Sequence, residues 1–413
     1  MGQGRFRTAL ATVAVGLVVA GCSSSNGGGS ATPTGSASTE PIVIGISLSL
    51  SGDFSDPGNA AKKGYELWAD QVNANGGILG RQVQLKIVDD ASSPDQVVTN
   101  YQNLISKDNV DLVFGPFSTL LSVPAATVAE RYHYAFVEPA GGGPAMFDAK
   151  LPNVFFVQPA PVVGCGQPFV DFILSLPPSQ RPTTAAYPSL DDPFASPIAD
   201  AMQAQFEAAG IQTVYKDIYP PETTDLTPII EKVAKANPDM VVAGTQSEDA
   251  YAQVKAMVQA NFSPKFLFFA NGANSPTEFP DKVGADNTQG IFSCGDWFPN
   301  STANGNPAFV AAYTAKYGGD AFGIDSTSAE AYSVGQLIEA VANKTGSIDN
   351  QKIIDTLHSG SWPTLEGDLS WDQYGSPQGS DMLVEWIDGK LLPVYPPDIA
   401  LHDPVYPKPD WGG

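Results

Sequence analysis

Short apolar runs alternate with longer amphipathic segments between residues 42 and 269, and this rhythm predicts strands that are each followed by a helix. Residues 42–46 form a β-rich apolar run, which is typical of a strand buried on both faces. The next segment carries apolar residues at helical spacing from Ala60 to Val72, and the Asn75-Gly76-Gly77 turn ends it. Repetition of such pairs predicts parallel sheets covered by helices.

Two such runs follow each other, so the fold class predicted is α/β with two doubly wound lobes. The first run ends with a strand at 135–137, and the second begins after the apolar run at 154–157. Helices predicted near 308–317, 329–342 and 352–358 must complete lobes that begin earlier in the chain. From Leu391 onward, frequent prolines predict a tail that runs extended over the surface.

The N-terminus has the pattern of an export signal, predicted to span residues 1–21. Arg5 and Arg7 precede a short apolar segment, and Val19-Ala20-Gly21-Cys22 resembles a bacterial lipobox closely. The resemblance implies cleavage before Cys22 and lipidation of that cysteine, which would anchor the protein outside the cytoplasm. The alternative is an ordinary secretory signal with an incidental cysteine. Residues 22–40 are predicted to be a flexible tether, because Ser, Gly, Thr, Ala and Pro dominate them.

Charge and motif content exclude several function classes. Lys and Arg number 21 against 44 Asp and Glu, for a net charge of −23, so a nucleic acid partner is not expected. The three histidines are scattered, with none at metal-ligand spacing, and neither a phosphate loop nor a Gly-x-Ser-x-Gly elbow occurs. We therefore predict neither an enzyme, nor a metal site, nor a cofactor. Cys165 and Cys294 either form a disulfide or are two separately buried thiols.

Several stretches match one family in order. They are Gly45-Ile46-Ser47-Leu48-Ser49-Leu50-Ser51-Gly52, Val72-Asn73-Ala74-Asn75-Gly76-Gly77-Ile78-Leu79-Gly80, Val88-Asp89-Asp90, Val113-Phe114-Gly115-Pro116, Glu138-Pro139-Ala140 and Leu369-Ser370-Trp371-Asp372. This order resembles the leucine/isoleucine/valine-binding proteins, type I periplasmic binding proteins that serve ABC importers.

The resemblance implies two lobes, joined by three crossover segments, that close on a small solute. The crossovers are expected near 156–161, 290–296 and 365–372. Lobe 1 would comprise 42–158 plus 296–365, and lobe 2 would comprise 159–295 plus 366–413. Adjacent crossovers would also make a disulfide between Cys165 and Cys294 geometrically reasonable.

The loops after the predicted strands supply the candidate binding residues, because wound sheets bind ligands at the carboxyl ends of their strands. Helix starts offer hydroxyls and free amides to a carboxylate, and glycine lets the backbone approach a ligand. Capping and turn formation alone would also explain these residue types. The candidates are Phe54, Ser55, Phe117, Ser118, Thr119, Ala140, Gly141, Gly142, Asp192, Phe194, Gln246 and Asn271.

The second lobe departs from the family pattern. Asn271 falls where amino-acid binders carry a glutamate that pairs with the α-ammonium, and Gln246 falls where they carry an aromatic residue. A neutral amide cannot replace that charge, whereas Asp191 or Asp192 could. The sequence therefore predicts a small carboxylate, amide or amino-acid-like solute rather than leucine itself.

Three functions remain open at this point. The first is a monomeric solute-binding lipoprotein that delivers its solute to an importer's membrane permease. The second is a receptor of the same fold that docks on a signalling protein, and the third is a secreted hydrolase, for which nothing in the sequence fixes a geometry. Import is favoured.

Overall fold

The computed structural model describes Met1 and residues 40–412, so Cys22 and the predicted signal and tether up to Thr39 lie outside the described residues. Within the described residues the strands are β1 (Ile42–Leu48), β2 (Val83–Asp89), β3 (Leu112–Phe114), β4 (Phe136–Glu138), β5 (Val154–Phe156), β6 (Thr184–Leu190), β7 (Gln212–Tyr219), β8 (Met240–Ala243), β9 (Phe266–Phe269), β10 (Ile291–Gly295), β11 (Trp362–Thr364), β12 (Gly367–Leu369), β13 (Met382–Ile387) and β14 (Lys390–Tyr395).

The helices alternate with these strands through most of the chain. They are α1 (Ser55–Ala74), α2 (Pro94–Ser106), α3 (Thr119–Arg131), α4 (Pro144–Asp148), α5 (Gln167–Ser175), α6 (Ala195–Ala208), α7 (Thr227–Ala236), α8 (Ser247–Gln259), α9 (Glu278–Val283), α10 (Asn306–Tyr317), α11 (Ser326–Thr345) and α12 (Asn350–Leu357), with short 3₁₀ turns at Val162–Gly164, Ala285–Asn287 and Ala321–Gly323. No helix in the described part of the chain has both the length and the apolar character needed to cross a bilayer.

The strands form two large sheets, which confirms the predicted α/β fold with two lobes. The first sheet has the order β2-β1-β3-β4-β5 and is parallel throughout. The second has the order β14-β13-β10-β9-β8-β6-β7, with β13 antiparallel to β10 and to β14. In each sheet the strand order reverses at the first strand of its run, β1 or β6. The carboxyl ends of strands at such a reversal leave a crevice for ligands.

Helices α10 to α12 return to the first lobe although they follow β10 of the second sheet. Phe309, Leu337 and Leu357 from these helices share a core with Ile44 of β1. Helices α1 and α11 pack so closely that a Cβ at Gly335 would lie only 2.0 Å from the Trp68 ring. The close packing therefore requires glycine at this position.

The chain passes between the two lobes at three places within the described residues: after β5, after β10 and before β13. The third passage comes later than the predicted segment 365–372. Leu369 and Trp371 pack in the first core, and the Trp371 Nε1–H donates to the Phe156 backbone oxygen at 2.7 Å. Residues up to Trp371 therefore lie in lobe 1, and the chain crosses between Trp371 and Met382.

The proline-rich tail was predicted wrongly in its first residues. Leu391 to Tyr395 belong to β14, which pairs with β13 and places Pro393 opposite Val384. Because β14 is the edge strand of its sheet, the missing proline N–H costs no ladder hydrogen bond. A tail without regular strands or helices begins only after Tyr395.

Candidate functional site

A cavity of about 570 Å³, its open mouth included, lies between the two lobes beside the crossover segments. The first lobe contributes Phe117 and Ser118 after β3, and Ala140 after β4. The second lobe contributes Phe194 after β6, Gln246 after β8, and Asn271 after β9. These residues follow the carboxyl ends of parallel strands, so the topology itself brings six of the predicted site residues together.

The Ser118 backbone has φ 77°, a left-handed conformation that residues other than glycine seldom adopt. The Ser118 hydroxyl accepts a hydrogen bond from the Leu120 N–H at 3.2 Å. The Ser118 backbone N–H donates to the Ala140 backbone oxygen at 3.0 Å. Phe54 is buried behind this loop and meets Phe117 edge-on at 5.8 Å between ring centroids. Phe54 therefore supports the Phe117 side of the cavity and itself lines a second, wider cavity, as Asp192 does.

Four other predicted residues line neither of these two cavities. Two of them have polar contacts within lobe 1 instead. Ser55 begins α1, where its carbonyl oxygen accepts from the Asn59 side chain at 2.7 Å. The Thr119 hydroxyl accepts from the Gly143 N–H at 3.0 Å. The Ser55 contact lies within α1, and the Thr119 contact joins the starts of α3 and α4. A solute contact of either residue stays a prediction.

The other two are glycines, and each admits a close neighbour. A Cβ at Gly141 would lie 2.4 Å from the Ser122 Cβ, and one at Gly142 would lie 2.2 Å from the Phe156 ring. Both glycines therefore serve close packing within the lobe.

A chain of hydrogen bonds joins Asp192, Gln246 and Asn271, which we call the amide wall. The Asn271 Nδ2 donates to the Gln246 Oε1 at 2.9 Å, and the Gln246 Nε2 donates to the Asp192 Oδ1 at 3.2 Å. Asp192 also accepts from the backbone N–H groups of Phe194 at 2.8 Å and Ala195 at 3.0 Å. Burial raises the pKa of Asp192, and these donors oppose that rise. The amide wall is thus fixed by its own contacts.

Four carboxyl groups lie close enough together for mutual charge repulsion, and we call them the carboxyl cluster. Asp296 follows β10, Glu330 lies on α11, Glu366 lies in the turn between β11 and β12, and Asp381 precedes β13. Asp296, Glu330 and Asp381 line the cavity. Glu366 lies behind them, close enough to Asp296 and Asp381 for charge repulsion.

The carboxyl cluster has few hydrogen-bond donors. The Ser326 hydroxyl donates to the Glu330 Oε1 at 3.2 Å, whereas no N–H or O–H from the described residues reaches the other Glu330 oxygen, either Glu366 oxygen, or the Asp381 Oδ1. Burial first, and then repulsion from Asp296, raises the pKa of Glu330, Glu366 and Asp381 well above the ordinary range.

Cys165 and Cys294 form a disulfide at the cavity edge, with their Cα atoms 5.2 Å apart. It joins the first crossover region to β10, two residues before Asp296. Trp297, which follows, is buried in the first core, where its Nε1–H donates to the Asn306 Oδ1 at 2.7 Å. Trp297 therefore serves packing.

Residues 41–390 match the family model described as periplasmic binding protein. The chain belongs to the periplasmic binding protein family. This match covers most of the chain, including both lobes and the cavity between them. Within the described residues, no group of three or more His, Cys, Asp or Glu side chains is placed to hold a metal ion.

Curated relatives of this periplasmic binding protein carry the name of the leucine/isoleucine/valine binders. It is 24% identical over 375 residues to Leu/Ile/Val-binding protein homolog 8 of Brucella melitensis biotype 1, covering 87% of this chain and 92% of the relative. It is 26% identical over 367 residues to homolog 3 of the same organism, covering 86% and 94%.

Solved structures share the fold of this family member. One is the branched-chain amino acid transporter substrate-binding protein LivJ of Streptococcus pneumoniae in complex with isoleucine, with TM-score 0.75, 20% identity, and coverage of 85% of this chain and 97% of that chain. Another is an ABC transporter solute-binding protein of R. palustris in complex with benzoate, with TM-score 0.73, 18% identity, and coverage of 90% and 99%.

Proposed function

We propose that this protein is the extracytoplasmic solute-binding lipoprotein of an ABC importer, and that one chain captures one small solute in the cavity between its lobes. The observation that carries the proposal is that cavity, which both lobes and the crossover segments line together. A site built from two lobes can close around a solute by hinge motion, which shifts the protein toward its closed form. That closed form would be what the membrane permease recognises.

The lining of the cavity suits a small polar solute. The Phe117 and Phe194 rings offer apolar surface, while Ser118, Gln246 and Asn271 offer hydroxyl and amide groups. Amide-bearing and amino-acid-like solutes fit this set of donors and acceptors. A solute whose only polar group is a carboxylate fits less well, because the lining contains three acidic side chains and no Lys, Arg or His.

The lipid anchor is a part of the proposal that depends on the sequence around Cys22. Replacing Cys22 by serine should release the protein from the membrane fraction of the producing cells, and a palmitate analogue should label only the unaltered protein. Retention of the serine variant in the membrane, or an absence of label, would contradict anchoring through Cys22.

A thermal-shift screen against acids, amides, amino acids and amines tests solute capture. A solute at 100 times its Kd should add about 2.7 kcal/mol to the free energy of unfolding. Gln158 lines the cavity, so Gln158→Trp should fill it and abolish the shift. Gln102 is exposed on α2, and Gln102→Trp is therefore the matched control that keeps the shift. If no solute shifts the melting temperature, or if both variants respond alike, the proposal fails.

A further inference from the structure

We infer that the carboxyl cluster binds the cationic nitrogen of the solute, as an ammonium or guanidinium group that donates hydrogen bonds to Glu330 and Asp381. This inference rests on the proposed function and names the class of solute that the cavity takes. Asn271 cannot pair with an ammonium group, but the cavity holds carboxyl groups at three other positions.

Two buried carboxyl groups of the carboxyl cluster are only partly satisfied by hydrogen-bond donors from the described residues. Glu330 is 3% exposed and Asp381 is 7% exposed, yet each has a carboxyl oxygen without an N–H or O–H donor among the described residues. Buried polar atoms in folded proteins are nearly always hydrogen-bonded, and leaving one unpaired costs about 1–3 kcal/mol. Both side chains line the cavity, so a solute bound there can supply the donors.

The negative charge of the carboxyl cluster is not balanced by a basic side chain in the cavity lining. Asp296, Glu366 and Asp381 come from different chain segments, and all three place their charges near one another with no basic side chain in the cavity lining. Without a cation, like charges at such a site are reduced only by taking up protons. A bound cation offsets the repulsion directly, and its N–H groups form charge-assisted hydrogen bonds with the carboxylates.

The carboxyl cluster suits an organic cation better than a metal ion. The described residues contain no group of three or more ligating side chains placed for a metal ion. A primary ammonium group brings three N–H donors and a guanidinium group brings five, which suits several carboxyl oxygens lying in different directions. An organic nitrogen cation therefore fits the carboxyl cluster better than a metal ion does.

The test uses three pairs of probes that differ mainly in the cationic nitrogen. They are leucine with 2-hydroxy-4-methylpentanoate, 1,4-diaminobutane with 1,4-butanediol, and methylguanidine with N-methylurea. Calorimetric titration of the whole protein should show at least one probe with a cationic nitrogen binding at least tenfold more tightly than the partner that lacks it. Glu330→Gln and Asp381→Asn should each reduce that preference at least tenfold.

Glu385→Gln is the matched control, because Glu385 is an equally buried carboxyl group that accepts from the Val405 N–H, away from the cavity. This variant should keep the preference. The inference is overturned if the partners without a cationic nitrogen bind as tightly in all three pairs, if no cationic probe binds, or if Glu330→Gln and Asp381→Asn both behave like the control. A screen in which only acids or neutral amides bind would overturn this inference and leave the proposed function standing. A screen without any hit would remove both.

Discussion

The amide wall and the carboxyl cluster face the same cavity but differ in how their polar groups are satisfied. Asn271 and Gln246 donate along a chain that ends on Asp192, and backbone N–H groups complete it. Glu330 and Asp381, by contrast, keep carboxyl oxygens without donors among the described residues. The amide wall thus satisfies most of its polar groups within itself, whereas the carboxyl cluster has bonding capacity that a bound group can use.

The largest expected effect concerns the disulfide beside both regions. Replacing Cys165 and Cys294 by serine opens a covalent loop with a sequence separation of 129 residues. In the chain-entropy view this removes up to about 5 kcal/mol from the free energy of unfolding, and native disulfides typically contribute about 2–5 kcal/mol. Denaturant unfolding of the protein and the double variant measures it. Affinity for a cationic probe should fall as well, since Asp296 follows Cys294 closely. Equal stabilities would show that the disulfide does not hold this side of the cavity.

The next largest effect is the pH dependence of the free energy of unfolding, which we expect from the carboxyl cluster. Burial raises the pKa of Glu366, so the folded protein holds a proton there that the unfolded chain loses near pH 4.5. The corresponding stability is complete below that pH and is lost as the pH rises toward the raised value, at no more than about 1.4 kcal/mol per pH unit. Glu366→Gln should therefore gain stability relative to the unaltered protein more at pH 8 than at pH 5.5.

Thermal melts across this pH range make the comparison. The exposed Glu222 on a surface loop serves as the control, and Glu222→Gln should change the free energy of unfolding by less than about 0.5 kcal/mol at each pH. A Glu366→Gln variant whose advantage stays constant with pH would contradict the proposed protonation of the carboxyl cluster.

The smallest effect is expected at the amide wall. Gln246→Ala removes one donor to Asp192, which still accepts from the backbone N–H groups of Phe194 and Ala195. The free energy of unfolding should fall by about 1 kcal/mol, the usual net contribution of one hydrogen bond, whereas the free energy of solute binding should fall by less than that. Denaturant unfolding and calorimetric titration measure the two losses. A loss in binding larger than that caused by Glu330→Gln would reverse the assigned roles of the two regions.

The sequence predicts the fold and the amide wall better than the carboxyl cluster, for physical reasons. Gln246 and Asn271 follow strands whose apolar runs are visible in the sequence, so their place at the carboxyl end of a sheet can be derived. Glu330 lies on α11 between apolar residues of the sequence. Asp296 and Asp381 lie in crossover segments that have no hydrophobic periodicity of their own. Only the return of the chain between the lobes brings these acids together.

A further miss has the same origin in tertiary structure. The prolines after Leu391 indicate an extended surface tail, but the edge position of β14 lets Pro393 pair without loss. For Gly141 and Gly142 the backbone approach to a ligand stays a prediction, and the structure adds that a Cβ at either position would meet Ser122 or Phe156. Composition cannot show which neighbour a glycine admits.

Calorimetric titration of 1,4-diaminobutane near pH 7, in two buffers with different ionisation enthalpies, directly tests whether the carboxyl cluster binds a cationic nitrogen. If the carboxyl cluster holds protons that a bound cation displaces, the observed enthalpy should differ between the buffers and reveal proton release, while 1,4-butanediol should release none. Among the facing groups, Asp296, Asp325 and Glu366 share this field with Glu330. Binding of the diamine without proton release, or equally tight binding of the diol, would contradict the account.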